Sequence, residues 1–212
     1  MRVLVAGGHG HTGKHVLKYL KENGHEPFGM IRNEEQIDAI NDLGAVAVIA
    51  DLEEDLSSAV TSMDAVIFAA GSGSQTGPDK TASVDRDGAI RLIEASKAKQ
   101  VRKFVMLSSI GADKPEKAPE AMRHYAEAKH DADEALVDSG LDYTIVRPGA
   151  LSFDPAKGTI RADKRLVDRS GAVSRQDVAK ALVESLDTPL TANLIFEMLD
   201  GDTPIKDAIT SV

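Results

Sequence analysis

Short apolar runs alternate with longer amphipathic stretches along the chain, and this alternation predicts βαβ units around a parallel sheet. Most of the runs are apolar at every position rather than at every second one, which indicates strands buried on both faces. Strands are predicted at residues 2–6, 27–31, 46–50, 65–70, 103–108, 143–147 and 194–199.

The stretches between these runs carry apolar residues at helical spacing. Helices are predicted at residues 12–23, 34–43, 56–62, 84–99, 120–139 and 175–186. Gly24, Gly44 and Gly140 each follow a helical stretch, at the position where a left-handed cap favours glycine. Ser174 opens a Ser-Arg-Gln-Asp sequence that resembles a capping box. The pattern predicts an α/β protein: a three-layer Rossmann fold with a doubly wound, mostly parallel sheet and a minimal C-terminal substrate lobe.

A chain of 212 residues is of a length that forms one hydrophobic core. We therefore predict a single domain over residues 1–212, with residues 151–172 and 200–212 forming the small substrate lobe. Irregular segments follow strands at residues 72–81, 111–119 and 151–172, on the edge where open α/β sheets place ligands.

The composition narrows the function classes. A formal net charge of -9 without a long Lys/Arg run argues against a nucleic-acid partner. Cysteine is absent, so disulfides, thiol catalysis and cysteine-ligated metals are excluded, and no metal site is predicted. The apolar runs are far shorter than the roughly 20 residues of a membrane span, and the first is too short for a signal peptide. We expect a cytoplasmic protein, monomeric or homodimeric, with a small-molecule substrate and no membrane partner.

The sequence Gly7-Gly8-His9-Gly10-His11-Thr12-Gly13 follows the first strand and opens the first helix. Glycines at this spacing permit a tight turn, a close approach of main-chain amides to a pyrophosphate, and close helix packing. The positive end of the helix then faces the phosphates. Cofactor contacts are predicted at Gly7, Gly10, Thr12 and Gly13, with His9 and His11 at the mouth of the site as phosphate contacts or as solvated loop histidines.

Arg32 and Asn33 end the second strand, where NAD enzymes usually carry an acidic residue that binds the ribose. An arginine fork suits a 2'-phosphate, so the sequence predicts NADP rather than NAD, unless Arg32 is an ordinary surface residue.

The ends of the third and fourth strands supply further cofactor candidates. Asp51 could bind the adenine amino group or cap the following segment, while Leu52 could cover the ring. Ala70 and Gly71 are small enough for a ribose to lie against their backbone, although small residues at a strand end are also ordinary packing.

Tyr125 and Lys129 are four residues apart on a predicted helix and therefore share one face. An ammonium beside a phenol favours the phenolate, which suits acid–base work near neutral pH. A serine at the end of the preceding strand could hold a substrate oxygen, and Lys129 could also bind the ribose. Taken alone, this spacing also occurs on solvated helix faces.

With these motifs the chain resembles the short-chain dehydrogenase/reductase superfamily, in its atypical or extended branch. It is most similar to a compact bacterial, NAD(P)-binding subgroup that is sugar epimerase-like and NAD-dependent epimerase/dehydratase-like. Further shared motifs are Ala70-Gly71-Ser72-Gly73, Asp142-Tyr143-Thr144-Ile145-Val146-Arg147-Pro148-Gly149 and Gly201-Asp202-Thr203-Pro204-Ile205.

The resemblance implies roles for matching positions: Tyr125 as acid–base, Lys129 as its electrostatic partner and ribose ligand, and Ser109 as substrate hydrogen-bonder. It also places Ser108 and Pro148 beside the cofactor. Two departures stand out. The spacing from Ser109 to Tyr125 is unusual, with sugar epimerases placing their serine at Ile110, and the chain is much shorter than nucleotide-sugar epimerases.

The leading functional hypothesis is an NADP(H)-dependent oxidoreductase acting on a small carbonyl, hydroxyl or conjugated ring compound. The alternatives are an epimerase or dehydratase that retains its cofactor, and a non-catalytic NADP(H)-sensing regulatory protein. Four cations in the segment expected to overhang the site either bind an anionic substrate group or belong to a solvated loop. They are Arg161, Lys164, Arg165 and Arg169.

Overall fold

A nine-stranded sheet forms the middle layer of the protein, whose computed structural model describes residues 1–71 and 77–212. The strands of this part of the chain are β1 (Arg2–Ala6), β2 (Glu26–Ile31), β3 (Val46–Ile49), β4 (Ala65–Phe68), β5 (Lys103–Leu107), β6 (Asp142–Pro148), β7 (Ala150–Ser152), β8 (Thr159–Asp163), β9 (Ala172–Ser174), β10 (Leu194–Asp200) and β11 (Thr203–Pro204). The main sheet has the order β11-β8-β10-β6-β5-β4-β1-β2-β3, and β7 pairs with β9 separately.

All strands from β3 to β10 in this order are parallel, while β8 is antiparallel to both β10 and β11. The chain first builds outward from β1 to β3 and then continues from β4 on the other side of β1. This reversal between β1 and β4 is the switch point at which doubly wound sheets bind ligands.

Helices cover both faces of the sheet. They are α1 (His11–Glu22), α2 (Ile37–Asn41), α3 (Pro78–Lys80), α4 (Ala89–Ala98), α5 (Glu120–Asp138), α6 (Arg175–Asp187) and α7 (Ile205–Thr210). A π-helical segment, Thr81–Gly88, joins α3 to α4, and short 3-10 turns lie at Glu34–Gln36, Pro115–Lys117 and Pro189–Thr191. Within the described residues, the helices are too short or too polar to cross a membrane.

Residues of the central strands alternate between two hydrophobic cores. In β1, Val3 and Val5 pack with α1 and α6, whereas Leu4 and Ala6 pack with α4. Both sets are fully buried, which is why the strand is apolar at every position. The predicted three-layer α/β Rossmann fold with a mostly parallel sheet is therefore confirmed.

Three predicted helices differ from the structure. Residues 56–62 form turns, because the bonds from Thr61 to Ser58 and from Met63 to Val60 span three residues and do not continue an α-helical ladder. Residues 34–43 form a 3-10 turn followed by the short helix α2. The helix predicted at 84–99 begins earlier, through α3 and the π-helical segment.

The segments predicted as the small lobe continue the main sheet at its edge. Residues 151–172 contain β8 and residues 200–212 contain β11, which pair with each other. Gly201 fits this edge because a Cβ there would meet the backbone of Ile160, with the carbonyl oxygen at 2.8 Å. Thr159 also donates its hydroxyl to the Gly201 carbonyl at 2.7 Å.

Candidate functional site

The glycine turn brings the start of α1 against the ends of β1 and β4. Gly7 has φ of +80°, and a Cβ on it would come 2.7 Å from the Cα of Ala70. A Cβ on Gly13 would collide with the carbonyl oxygen of Gly7, which also accepts the N–H of Gly10 at 2.9 Å. Only glycine therefore fits at Gly7 and Gly13.

The first turn of α1 is open to an anion. Gly10 is the N-cap and offers no side-chain acceptor, and no acidic residue lies in the first turn. The backbone N–H of Lys14 donates to the Gly10 carbonyl at 3.0 Å, which begins the helical ladder, and Thr12 is buried. Uncapped amides at the positive end of a helix suit a phosphate, so the residues present fit the diphosphate of a dinucleotide.

Gln36, which the sequence analysis did not single out, connects the glycine turn to the end of β2. Its amide nitrogen lies 3.3 Å from His9 Nδ1, and its oxygen accepts the backbone N–H of Arg32 at 3.3 Å. Burial and then the Lys14 charge lower the pKa of His9, so its ring is neutral at pH 7. The only sequence signal for Gln36 is its position four residues after Arg32.

The side chains of Arg32 and Asn33 are exposed where β2 ends, as the prediction of a ribose-reading arginine requires. His11 is also exposed, and its ring meets that of Phe153 edge-on at 5.0 Å between centroids. The Arg175 guanidinium lies 4.0 Å from the centroid of the same Phe153 ring.

Asp51 and Leu52, the two residues predicted to bind the adenine, have different surroundings. The Asp51 carboxylate accepts the Glu53 N–H at 3.0 Å and so caps a turn, which was the alternative role. Leu52 is 6% exposed and points into the core, where a Cβ on Gly88 would be 2.8 Å from its own Cβ.

Small residues follow β4, as predicted. Ala70 is half-buried and Gly71 exposed, and a Cβ on Gly71 would lie 3.3 Å from an Asp85 carboxylate oxygen. Ser72 and Gly73 lie outside the described residues.

Helix α5 brings Tyr125 and Lys129 to the end of β5. The Lys129 ammonium donates to the Leu107 carbonyl at 3.2 Å, pairs with Asp85 at 3.3 Å and lies 5.8 Å from the centroid of the Tyr125 ring. Burial acts to lower the pKa of Lys129, but Tyr125, Asp85 and Asp133 together hold it above the usual value. The ammonium is therefore charged at physiological pH, directly beneath a half-buried tyrosine.

The two serines after β5 have different surroundings. Ser108 is 3% exposed and donates its hydroxyl to Asp133 at 2.7 Å, and Arg147 donates to the same oxygen at 3.0 Å. Burial raises the pKa of Asp133 despite the opposing charge of Arg147. The Ser108 hydroxyl thus serves a buried network that the sequence analysis missed, whereas Ser109 is half-buried at the sheet edge.

Pro148 is buried at the end of β6, and its carbonyl accepts the Ile110 N–H at 2.9 Å. This bond holds the segment after β5 beside the segment after β6. The predicted positions Ser109, Tyr125 and Pro148 consequently lie at the same carboxyl edge as the glycine turn.

Three of the four cations that were expected to overhang the site have protein partners. Arg169 donates to Asp113 at 2.7 Å and to Glu197, and Arg165 lies 3.5 Å from Asp113. Arg161 donates to the Ser170 carbonyl at 3.1 Å. Arg169 thereby fastens the segment after β8 to the segment after β5, while Lys164 and Arg165 are exposed.

The switch point, the uncapped start of α1 and the glycine contacts together define a Rossmann-type dinucleotide-binding protein. The chain belongs to the NAD(P)H-binding family, whose model matches residues 7–189.

Individual relatives agree with this family. The uncharacterized sugar epimerase YhfK of Bacillus subtilis (strain 168) is 43% identical, with 99% of each chain covered. A provisionally named NAD-dependent epimerase/dehydratase of Bacillus halodurans is 45% identical, with both chains fully covered and a TM-score of 0.97. The oxidoreductase ylbE of Lactococcus lactis is 32% identical, with 100% of this chain and 96% of that chain covered and a TM-score of 0.88. The predicted resemblance to the atypical short-chain dehydrogenase/reductase group is confirmed.

Replacing Asp113 by Asn tests the fastening of the overhanging segment. Burial acts to raise the pKa of Asp113, but Arg169 and Arg165 outweigh it and hold this pKa below the usual value. The carboxylate therefore stabilises the fold above its unfolded pKa of about 3.9, and this stabilisation disappears as pH falls through the lower folded pKa. We expect Asp113→Asn to lose about 1–3 kcal/mol at pH 7 and progressively less in acid.

Urea unfolding of wild type and variant at neutral and acidic pH measures this difference. Asp131→Asn is the control for the loss of a surface carboxylate, because Asp131 is exposed on α5. An equal loss of stability at both pH values would contradict the charge assignment.

Proposed function

We propose that the protein is an NADP(H)-binding oxidoreductase of the short-chain dehydrogenase/reductase type, which moves hydride to or from a small substrate. One observation carries the proposal. The charged Lys129 ammonium lies beneath Tyr125 at the sheet edge where α1 begins without a side-chain cap.

In this proposal the diphosphate binds at the start of α1. The backbone amides of Gly7, Gly10, Thr12 and Gly13 would contact it there, because the glycines have no side chain in the way. The neutral His9 ring is held by Gln36 at the side of the turn and offers a hydrogen-bonding nitrogen without adding charge.

Arg32, with Asn33 beside it, would bind a ribose 2'-phosphate by its guanidinium fork, which favours NADP over NAD. The exposure of both side chains at the end of β2 supports this assignment. The remaining lone pairs of Asp51 would face the adenine end, while Ala70, Gly71 and Pro148 would border the nicotinamide half.

When bound, the nicotinamide supplies or accepts the hydride. Tyr125 would donate a proton to, or remove one from, the substrate oxygen at its phenolic hydroxyl. The Lys129 charge stabilises the phenolate that this transfer leaves, because an opposite charge nearby favours the ionised form. Ser109 would donate a hydrogen bond to the same substrate oxygen.

An epimerase or dehydratase that retains its cofactor is the second candidate, favoured by the names of the Bacillus relatives. Tyr125 and Lys129 would act identically in both reactions. The two differ in whether the hydride returns to the same substrate. Reduced cofactor trapped on the protein without net turnover would identify the epimerase or dehydratase.

Arg32→Ala tests the choice of cofactor. Loss of charge-assisted hydrogen bonds of about 1.5–3 kcal/mol should weaken NADPH binding by roughly 10- to 150-fold. NADH, which lacks the 2'-phosphate, should bind the variant and the wild type about equally. Titration calorimetry with both dinucleotides measures the four dissociation constants.

Arg102→Ala is the control for the loss of a surface arginine. Arg102 immediately precedes β5, is 71% exposed and pairs with Asp64. Wild-type binding of NADH as tightly as NADPH would contradict the assignment of Arg32.

Tyr125→Phe tests the proton donor. The variant should bind NADPH like the wild type, but reduce any carbonyl compound that the wild type reduces about 10²- to 10⁴-fold more slowly. Stopped-flow measurement of NADPH oxidation provides the rate, and Tyr143→Phe on β6 is the matched control. Unchanged turnover in Tyr125→Phe would remove the proposed acid, whereas an intact biological effect without turnover would favour the sensor hypothesis.

A further inference from the structure

A buried aspartate faces Lys129 from outside its own helix. Asp85 belongs to the π-helical segment Thr81–Gly88, and one of its carboxylate oxygens lies 3.3 Å from the Lys129 ammonium. The side chains are 0% and 3% exposed, respectively. No motif in the sequence points to Asp85, and the proposed acid–base roles of Tyr125 and Lys129 do not include it.

Contacts with the segments that follow β3 and β4 position Asp85. Gly88 lies so close to Leu52 that a Cβ would be 2.8 Å from the Leu52 Cβ, and Asp85 lies beneath Gly71 at the end of β4. A π-helical stretch shifts side chains out of the α-helical register, and such stretches are frequent at functional sites. Here the stretch carries the carboxylate that meets the lysine.

Lys129 needs a carboxylate of its own to stay ionised. Burial disfavours a charged lysine, and an adjacent anion reverses that effect. Within the part of the chain that the structure describes, the groups facing it are Tyr125 and Asp133 on α5, Asp85 on the π-helical segment and the Phe68 ring of β4 at 5.5 Å.

Asp133 also lies near Lys129, but its hydrogen bonds and ion pair are with Ser108 and Arg147. It accepts the Ser108 hydroxyl at 2.7 Å and forms an ion pair with Arg147 at 3.0 Å. The 3.3 Å separation between its carboxylate oxygen and the ammonium makes Asp85 the direct counter-ion of Lys129.

We propose that Asp85 is a positioning residue, which holds the Lys129 ammonium charged and fixed beneath Tyr125. Because its ammonium is held by the Leu107 carbonyl and Asp85, Lys129 acts on Tyr125 from the buried side of the site, through its charge. The inference deepens the proposed function, since its catalytic meaning depends on Tyr125 acting as acid or base.

The first test follows the ionisation of Lys129 by NMR of isotope-labelled lysine side chains, assigned with a Lys129→Met variant. In Asp85→Asn the pKa of Lys129 should fall by at least about one unit, because burial remains while its counter-ion is lost. Asp87→Asn is the matched control: Asp87 lies in the same π-helical segment but pairs with Arg86. An unchanged Lys129 pKa in folded Asp85→Asn would overturn the proposal, since a role in packing alone predicts no shift.

A second test covers the case in which Asp85→Asn folds poorly. Lys129→Met should lower the melting temperature, because it removes the positive charge that faces the buried Asp85 carboxylate. Adding Asp85→Asn to Lys129→Met should then raise the melting temperature again. Additive losses in the double variant would show that the two residues are not coupled and would overturn the proposal.

Neither readout requires a cofactor or a substrate. If the protein failed to bind NADPH, the proposed function would fall while the coupling between Asp85 and Lys129 could still be measured. Conversely, an uncoupled pair would remove the positioning role and leave dinucleotide binding intact.

Discussion

The start of α1 lies in direct backbone contact with the ends of β1 and β4, and the carboxyl edge of the sheet is organised around that contact. A side chain at Gly13 would strike the Gly7 carbonyl, and one at Gly7 would strike Ala70. Because the helix begins this close to the sheet, its first amides face the switch point between the two strands. The lack of a side-chain cap at Gly10 leaves those amides for a ligand.

A second constraint is a set of buried charged side chains near the carboxyl ends of β4, β5 and β6. Asp85 and Asp133 lie opposite Lys129 and Arg147, so that two carboxylates balance two cations in the interior. Buried ion pairs add little net stability, because desolvation offsets their attraction. Their value here is positional: they place one ammonium beneath Tyr125 and keep it ionised there, where perturbed groups are typical of functional sites.

The fold could be predicted wherever burial on both faces leaves a continuous apolar run, as in β1, β4 and β5. It could not be predicted where distant partners decide the structure. Strand β8 mixes polar and apolar residues and β11 has two residues, and both are stabilised by pairing at the edge of a sheet built elsewhere.

The candidate site shows the same division between local and distant information. The glycine turn and the four-residue spacing of Tyr125 and Lys129 are local patterns, so the sequence contains them. The partner of Lys129 lies on another element, and no spacing along the chain reveals it. Leu52 is the opposite case. Its position at a strand end suggested a contact with the adenine, but it packs against Gly88, on a distant element, and lies in the core.

The melting temperature with and without NADPH tests the central claim, that the glycine turn binds a dinucleotide. At about 100 times its dissociation constant a ligand stabilises by about 2.7 kcal/mol, which corresponds to roughly 5–10 °C for a chain of this size. Gly10→Ala should fold, since among residues 1–71 and 77–212 its Cβ would meet the Gly7 oxygen at 3.1 Å and nothing else within 4 Å. It should nevertheless lose most of this increase, because the methyl group obstructs the diphosphate. A wild-type melting temperature unmoved by saturating NADPH and NADH would contradict the account.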